Sequence, residues 1–203
     1  MLSASPRSGG EGGVEMTESD GAGDVHIALL RGINVGGKNK LPMKALAALF
    51  EAAGCGDVTT YIQSGNVVFR APDGLAREVP ARIHAAIQER HGLHVPVVTR
   101  TAAELRAIVR DHPFLAEGVD TKQLAVGFLA DEPTAERVAT LDPQRSPPDE
   151  FEVRGREIYL RFPDGVARSK LTNAYFDSRL ATVCTVRNHR TVLALLQRVD
   201  AAS

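Results

Sequence analysis

Four short polar segments hold the residue types that could bind or transform a ligand. The first is 31–40, where Arg31, Asn34, Lys38, Asn39 and Lys40 put five polar or cationic side chains within ten residues, spaced by glycines. Gly32 to Asn39 nearly fits G-x-x-x-x-G-K-[ST], the loop whose backbone amides cradle phosphates. Asn39 stands where a hydroxyl would hold Mg²⁺, and the next helix begins too late to put Lys38 in its first turn, so P-loop-like nucleotide binding is a rival reading only. The second segment, Gln63, Ser64, Gly65 and Asn66, has hairpin chemistry, and its amides suit the orientation of a bound group. The third and fourth are Arg168, Ser169 and Lys170, and Arg187, Asn188, His189, Arg190 and Thr191. Ser169 and Asn188 read as helix N-caps. Cations beside a helix N-terminus are unfavourable unless an anion sits between them, so both segments point to phosphate or carboxylate.

Other chemistries leave no trace. His84, His91 and His94 lack convincing metal-ligand spacing, and no metal or cofactor is expected. No paired catalytic carboxylates, Cys/His cluster or Ser/His/Asp arrangement stands out. Ser64 and Ser169 are the candidate nucleophiles, and neither has an evident base, although His189 belongs to the same predicted cluster as Ser169. Cys55 and Cys184 are expected to be free thiols.

The elements that must position these segments come in a regular order. The apolar run 25–31 is a buried strand. A loop 32–40 follows, then a helix over 42–53 that starts on a proline and ends at Gly54. Strands 58–63 and 67–71 form a hairpin about Ser64 to Asn66. A helix over 75–91 and a strand over 95–99 complete β-α-β-β-α-β, the ferredoxin-like order. A linking helix spans 102–110. The order then repeats with strand 123–130, helix 134–140, strands 151–154 and 157–162, helix 169–180 and strand 182–186, before a last helix over 191–199. The fold class is therefore α+β, with two ferredoxin-like halves (25–100 and 121–203) built on antiparallel sheets, a linking segment 101–120 and a C-terminal helix.

The 203 residues are 43% apolar with a net charge of −1, which suits a globular chain with a proper core. Residues 1–24 carry one arginine against five carboxylates, a balance of −4, leaving +3 on the remainder. This Gly/Ser/Glu-rich stretch is expected to be a disordered tail. No run reaches the roughly 20 apolar residues of a membrane span, and the first residues lack the apolar stretch of a secretory signal. Cytoplasm, with no membrane partner, is the expected location.

Topology says which loops meet. In each half the first strand runs up, its helix down, the second strand up and the third down. The loop 32–40 and the hairpin 63–66 therefore share one sheet edge. In the second half, the segments around Ser169 and Asn188 share the opposite edge.

At these residues the sequence resembles a known family. ALLRGINVGGKNK (28–40), Met43, TYIQSGNVVF (60–69), SKL (169–171) and TVRNHRT (185–191) resemble the bacterial family called domain of unknown function 1697, over about residues 25–200. The resemblance implies two ferredoxin-like α+β halves and no established activity. The positions matching its polar motifs are Arg31, Asn34, Lys38, Lys40, Gln63, Ser64, Asn66, Ser169, Lys170, Arg187, Asn188 and Thr191. Similar proteins often carry an aromatic residue, frequently Trp, where this chain has His189.

The leading expectation is a binding protein or enzyme for a small phosphate-bearing anion. Arg31, Lys38 and Lys40 supply charge, Gln63, Ser64 and Asn66 orient the ligand, and Lys170, Arg187 and Arg190 form a second site or a far wall. A second reading is an RNA- or single-strand-DNA-binding module that stacks bases on Tyr61 and Phe69. A third is a protein-interaction domain without catalysis, using an exposed apolar sheet face.

Overall fold

The computed structural model describes residues 23–115 and 118–203; up to residue 22, the expected tail lies outside them. The first unit comprises β1 (Asp24–Leu30), α1 (Met43–Ala52), β2 (Gly56–Tyr61), β3 (Asn66–Ala71), α2 (Asp73–His91), β4 (Val97–Thr101) and α3 (Ala102–Arg110). The second comprises β5 (Leu124–Leu129), α4 (Ala135–Val138), β6 (Glu150–Arg154), β7 (Glu157–Arg161), α5 (Asn173–Leu180), β8 (Cys184–Asn188) and α6 (His189–Ala202). The sheets are ordered β2-β3-β1-β4 and β6-β7-β5-β8, and every pairing is antiparallel. Two ferredoxin-like halves are therefore present. The linking helix and the C-terminal helix are counterparts, so the repeated unit is βαββαβα.

Alternation along the strands explains the layers. In β1, Val25, Ile27 and Leu29 face one way and Ala28 and Leu30 the other, and all five are buried. The outer face packs on α1 and α2 through Leu46, Leu49, Phe50, Val79 and Ile83. Each such side chain contributes about 1.5–3 kcal/mol on burial. The outer face of the second sheet packs likewise on α5 through Tyr175, Phe176 and Leu180. The inner faces share one core with α3 and α6, in which Ile27, Leu29 and Val98 meet Leu105, Ile108, Val126, Phe128, Val192 and Leu195.

Two arginines join the halves, Arg100 fully buried and Arg187 part-buried, each the fourth residue of its half's last strand. Arg100 donates from Nε to Glu157 (2.8 Å), from Nη2 to the carbonyls of Leu129 and Arg156 (both 2.8 Å), and from Nη1 to its own neighbour Thr99 (2.7 Å). Arg187 repeats the pattern in reverse. It donates from Nε to Asn66 (2.6 Å), from Nη2 to the carbonyls of Leu30 (2.7 Å) and Ser64 (3.2 Å), and from Nη1 to Val186 (3.0 Å) and the Thr185 hydroxyl (2.8 Å). Leu30 and Leu129 each end the first strand of a half. Asn66 and Glu157 each begin the third. The next residues match too: Thr101 caps α3 and Asn188 caps α6. The halves are thus related by a pseudo-twofold, with the lower edge of each sheet against the upper edge of the other.

Two sequence expectations need correction. The helix expected from Ser169 begins at Asn173, capped by Thr172, whose hydroxyl accepts from the Tyr175 amide at 3.2 Å. Ser169 instead accepts from the amide of Leu171 and ends a short 3₁₀ turn. The helix expected over 134–140 is a single turn, Ala135–Val138. Cys55 and Cys184 are both free and buried, and burial pushes the Cys184 thiol up to about 12.

Candidate functional site

The upper edge of the first sheet gathers the loop 31–42 and the hairpin 62–65. The loop is a small structure of its own. Val35 and Lys38 form an antiparallel bridge around Gly36 and Gly37, with the Lys38 amide donating to the Val35 carbonyl at 3.0 Å. Gly32, Asn34, Gly36, Gly37 and Asn39 all have positive φ, which glycine and asparagine adopt at least cost. Asn34 is the staple. Its side chain accepts from the Leu41 amide (2.8 Å) and donates to the carbonyls of Leu41 (2.8 Å) and Gln63 (3.0 Å), tying the loop to the hairpin.

The hairpin is fixed from beneath. Gly65 has φ +74°, and a Cβ there would lie 2.7 Å from Leu30 Cβ and 2.9 Å from Ile33 Cδ1. Its carbonyl accepts from the Leu30 amide at 2.7 Å. Asn66 is fully buried and donates to the Tyr61 carbonyl (3.1 Å) and the Ser64 hydroxyl (3.0 Å). Ile62 also has positive φ (+48°), a rare conformation for a β-branched residue, and it stands 51% exposed.

Between loop and hairpin opens a cleft of about 510 Å³ lined by Asn34, Gly37, Lys40, Leu41, Pro42, Met43 and Gln63. The N-terminus of α1 reaches it without a side-chain cap and with no acidic residue in its first turn. Residues 31–50 contain Arg31, Lys38, Lys40 and Lys44 and no carboxylate. Of these cations, Arg31 pairs with Asp177 of α5. Lys38 and Lys40 are exposed, and among the described residues neither is ion-paired.

The expected residues thus divide. Lys40, Asn34 and Gln63 come together at the cleft, and Lys38 is exposed on the same loop. Ser64 and Asn66 lie in the adjoining hairpin and do not line the cleft, and their hydrogen-bonding groups are engaged by the protein. Arg187 belongs to the inter-half clasp: all five of its N–H groups are engaged by protein acceptors, so it is not a ligand-facing cation. Burial pulls it down to about 10, so it stays charged at neutral pH. Asn188 donates nothing to a site; its side chain caps α6 by accepting from the Thr191 amide at 2.8 Å. Arg190 is exposed. Lys170 is exposed and its amide donates to Ser146, and no hydrogen bond joins the Ser169–Lys170 segment to 187–191 among the described residues. His189 is 2% exposed and packs edge-on against His112, ring centroids 5.2 Å apart, which explains why this position suits aromatic residues.

Rival readings fare differently. A P-loop lies between parallel strands, whereas both sheets here are antiparallel. Phe69 is buried under α1, and Tyr61 is half-buried beneath the Arg198 guanidinium (4.1 Å to the ring centroid), so neither offers a stacking platform. Both faces of each sheet carry packed helices or the other sheet, and no open apolar sheet face is seen among the described residues. No helix among the described residues is long and apolar enough to cross a membrane.

Signals for the missed features were present. A cation within an apolar strand must be paired, and Val-Val-Thr-Arg-Thr (97–101) and Cys-Thr-Val-Arg-Asn (184–188) carry one at the same place.

The family described as "Protein of unknown function (DUF1697)" matches residues 24–159; the segments around Ser169 and Arg187 lie beyond that span. A conserved bacterial protein, SP0830 from Streptococcus pneumoniae, has a similar solved structure, with a TM-score of 0.63 and 21% identity over 87% of this chain and 98% of that one. At that identity the likeness shows the fold alone. No curated protein matches the chain.

Proposed function

The chain belongs to the DUF1697 family of proteins of unknown function, and we propose that it binds a small phosphate-bearing anion in the cleft between the loop 31–42 and the hairpin 62–65. One observation carries this reading: Lys40 lines the cleft and the uncapped N-terminus of α1 reaches it, with no carboxylate between residues 31 and 50. The first-turn amides of α1 and the positive end of its dipole favour an anion, and Lys38 and Lys40 add charge that no ion pair among the described residues offsets. Gln63 orients the bound group, on a hairpin that Asn34 ties to the loop through the Gln63 carbonyl. A cytoplasmic location fits this ligand class and two buried free thiols.

A thermal-shift series with pyrophosphate, nucleotides and sugar phosphates tests it. A ligand at 100 times its Kd stabilises by about 2.7 kcal/mol, and Lys40→Ala removes that gain while leaving the unliganded protein within about 0.5 kcal/mol of wild type. If none of the phosphate-bearing compounds moves the melting temperature, the reading fails.

A further inference from the structure

We propose that Arg187 is the positioning residue of this cleft: the second half fixes the geometry of a site whose ligand-facing groups all come from the first. The inference rests on the anion-site reading for its consequence, though not for its geometry. Leu30 is the last residue of β1, so the carbonyl that Arg187 holds at 2.7 Å sits where the loop departs. The Ser64 carbonyl and the Asn66 side chain, its other two partners across the interface, are the hairpin's centre and end. Asn66 passes the constraint on to Tyr61 and to the Ser64 hydroxyl. Asn34 then couples the hairpin, through the Gln63 carbonyl, back to the loop's far end at Leu41. One guanidinium therefore sets the origin of both walls.

The fit needs the planar fork of arginine. Five donors meet five acceptors spread over β1, the hairpin and Arg187's own strand, and a lysine ammonium has three donors at a single point. The molecule also supplies a control. Arg100 makes the matching contacts to Leu129, Arg156 and Glu157, at an edge that carries no lysine loop.

The test compares Arg187→Lys with Arg100→Lys in the full chain. Pyrophosphate binding is measured by titration calorimetry, and hydrogen exchange is followed over 29–41 and 61–67 against 128–134 and 154–158. Arg187→Lys is expected to weaken pyrophosphate by about tenfold or more, the scale seen when outer partners of a site are lost, and to speed exchange in the first pair of segments. Arg100→Lys, which costs at least as much stability, leaves binding within about twofold, as a distant independent change does. Equal loss of binding in both variants, or wild-type binding and protection in Arg187→Lys, overturns the proposal. Should Arg187→Lys fail to fold, Thr185→Val removes one acceptor that seats the guanidinium, and the same contrast applies. If wild-type protein takes up no pyrophosphate, the anion-site reading falls, while the exchange contrast still decides whether Arg187 holds the loop.

Discussion

The two halves share a scaffold and differ at the edge that each presents beyond its first strand. After β1 the chain makes a twelve-residue excursion, 31–42, with three cations and no carboxylate. After β5 it reaches α4 in five residues, Ala130 to Thr134, with Asp131 and Glu132. The clasps differ in the same sense. Arg100 meets the carboxylate of Glu157, so its charge is compensated. Arg187 meets the neutral amide of Asn66, so its charge is not. A duplicated frame has thus been neutralised at one end and left cationic at the other. A part-buried cation without a carboxylate partner, beneath an acid-free lysine loop, leaves positive charge that an anion would offset, and this asymmetry supports the proposed binding at the first edge.

The sharpest way to break that comparison is to delete the two arginines. Arg100→Met strands the Glu157 carboxylate, which is mostly buried, and is expected to cost about 3–5 kcal/mol. Arg187→Met strands only neutral acceptors and is expected to cost less, about 1–3 kcal/mol. Urea midpoints at constant m-value read both. Equal costs, or the reverse order, would mean that compensation does not distinguish the clasps.

Acid should act on the second half first. His112 is 4% exposed, and burial, with His189 beside it, pulls it from 6.5 down to about 4. Burial lowers His189 as well. The unfolded chain takes up a proton near pH 6.5 that the folded protein refuses until about 4. Stability is therefore complete above that window and declines as pH falls through it, by up to about 3 kcal/mol for His112. The counterpart of His189 in the first half is Ala102, the residue after the cap. His112→Phe should flatten the decline between pH 7 and 4.5, and exchange at pH 4.5 should rise around β5 and α6 before it rises around β1 and α1.

The hairpins offer a milder contrast. Gly65 and Arg156 are matched, since each carbonyl accepts from the last amide of its half's first strand. Gly65→Ala combines a left-handed backbone with a contact that Leu30 and Ile33 must relieve, at about 1–3 kcal/mol. Arg156→Ala loses a part-exposed pair with Glu104 and should cost under about 1 kcal/mol. Melting curves of the two variants suffice to rank them.

What the sequence made legible follows the range of each interaction. Element order could be read because apolar runs and turn residues act locally: the hairpin forms where Ser64-Gly65-Asn66 announces it, although the turn itself is 62–65 and Asn66 opens β3, and Pro42 and Gly92 sit at helix boundaries. Boundaries slipped where two residues of like chemistry compete, as when Thr172 rather than Ser169 caps α5. The loop and hairpin meet as topology requires. The role of Arg187 could not be read from its neighbours, because four residues of helix-start chemistry look the same whether the cation faces an anion or a carbonyl of the other half. Only the packing of the halves, carried by the core shared between the two inner sheet faces, decides that.

At Ile62, on the hairpin beside the site, a small gain in stability rather than a loss is expected. Where the second hairpin turns, the left-handed position is Gly155; in the first, Ile62 takes φ +48° with half of its surface in water. A left-handed non-glycine residue costs about 1–2 kcal/mol, and nothing in the hydrogen bonding of the hairpin requires a branched side chain there. Ile62→Gly is therefore expected to stabilise the unliganded protein, by about 1 kcal/mol once the loss of partial burial and the freer unfolded chain are allowed for. Ala181→Gly, at the left-handed C-cap of α5, should gain a similar amount and serves as the comparison away from the cleft. If Ile62→Gly gains stability and weakens binding of a nucleotide while Ala181→Gly gains it with binding intact, the strain is retained for the ligand, and the exposed Val35 (64%) of the loop 31–42 becomes the next residue to change. If both variants bind as wild type, the strain at Ile62 belongs to the turn alone.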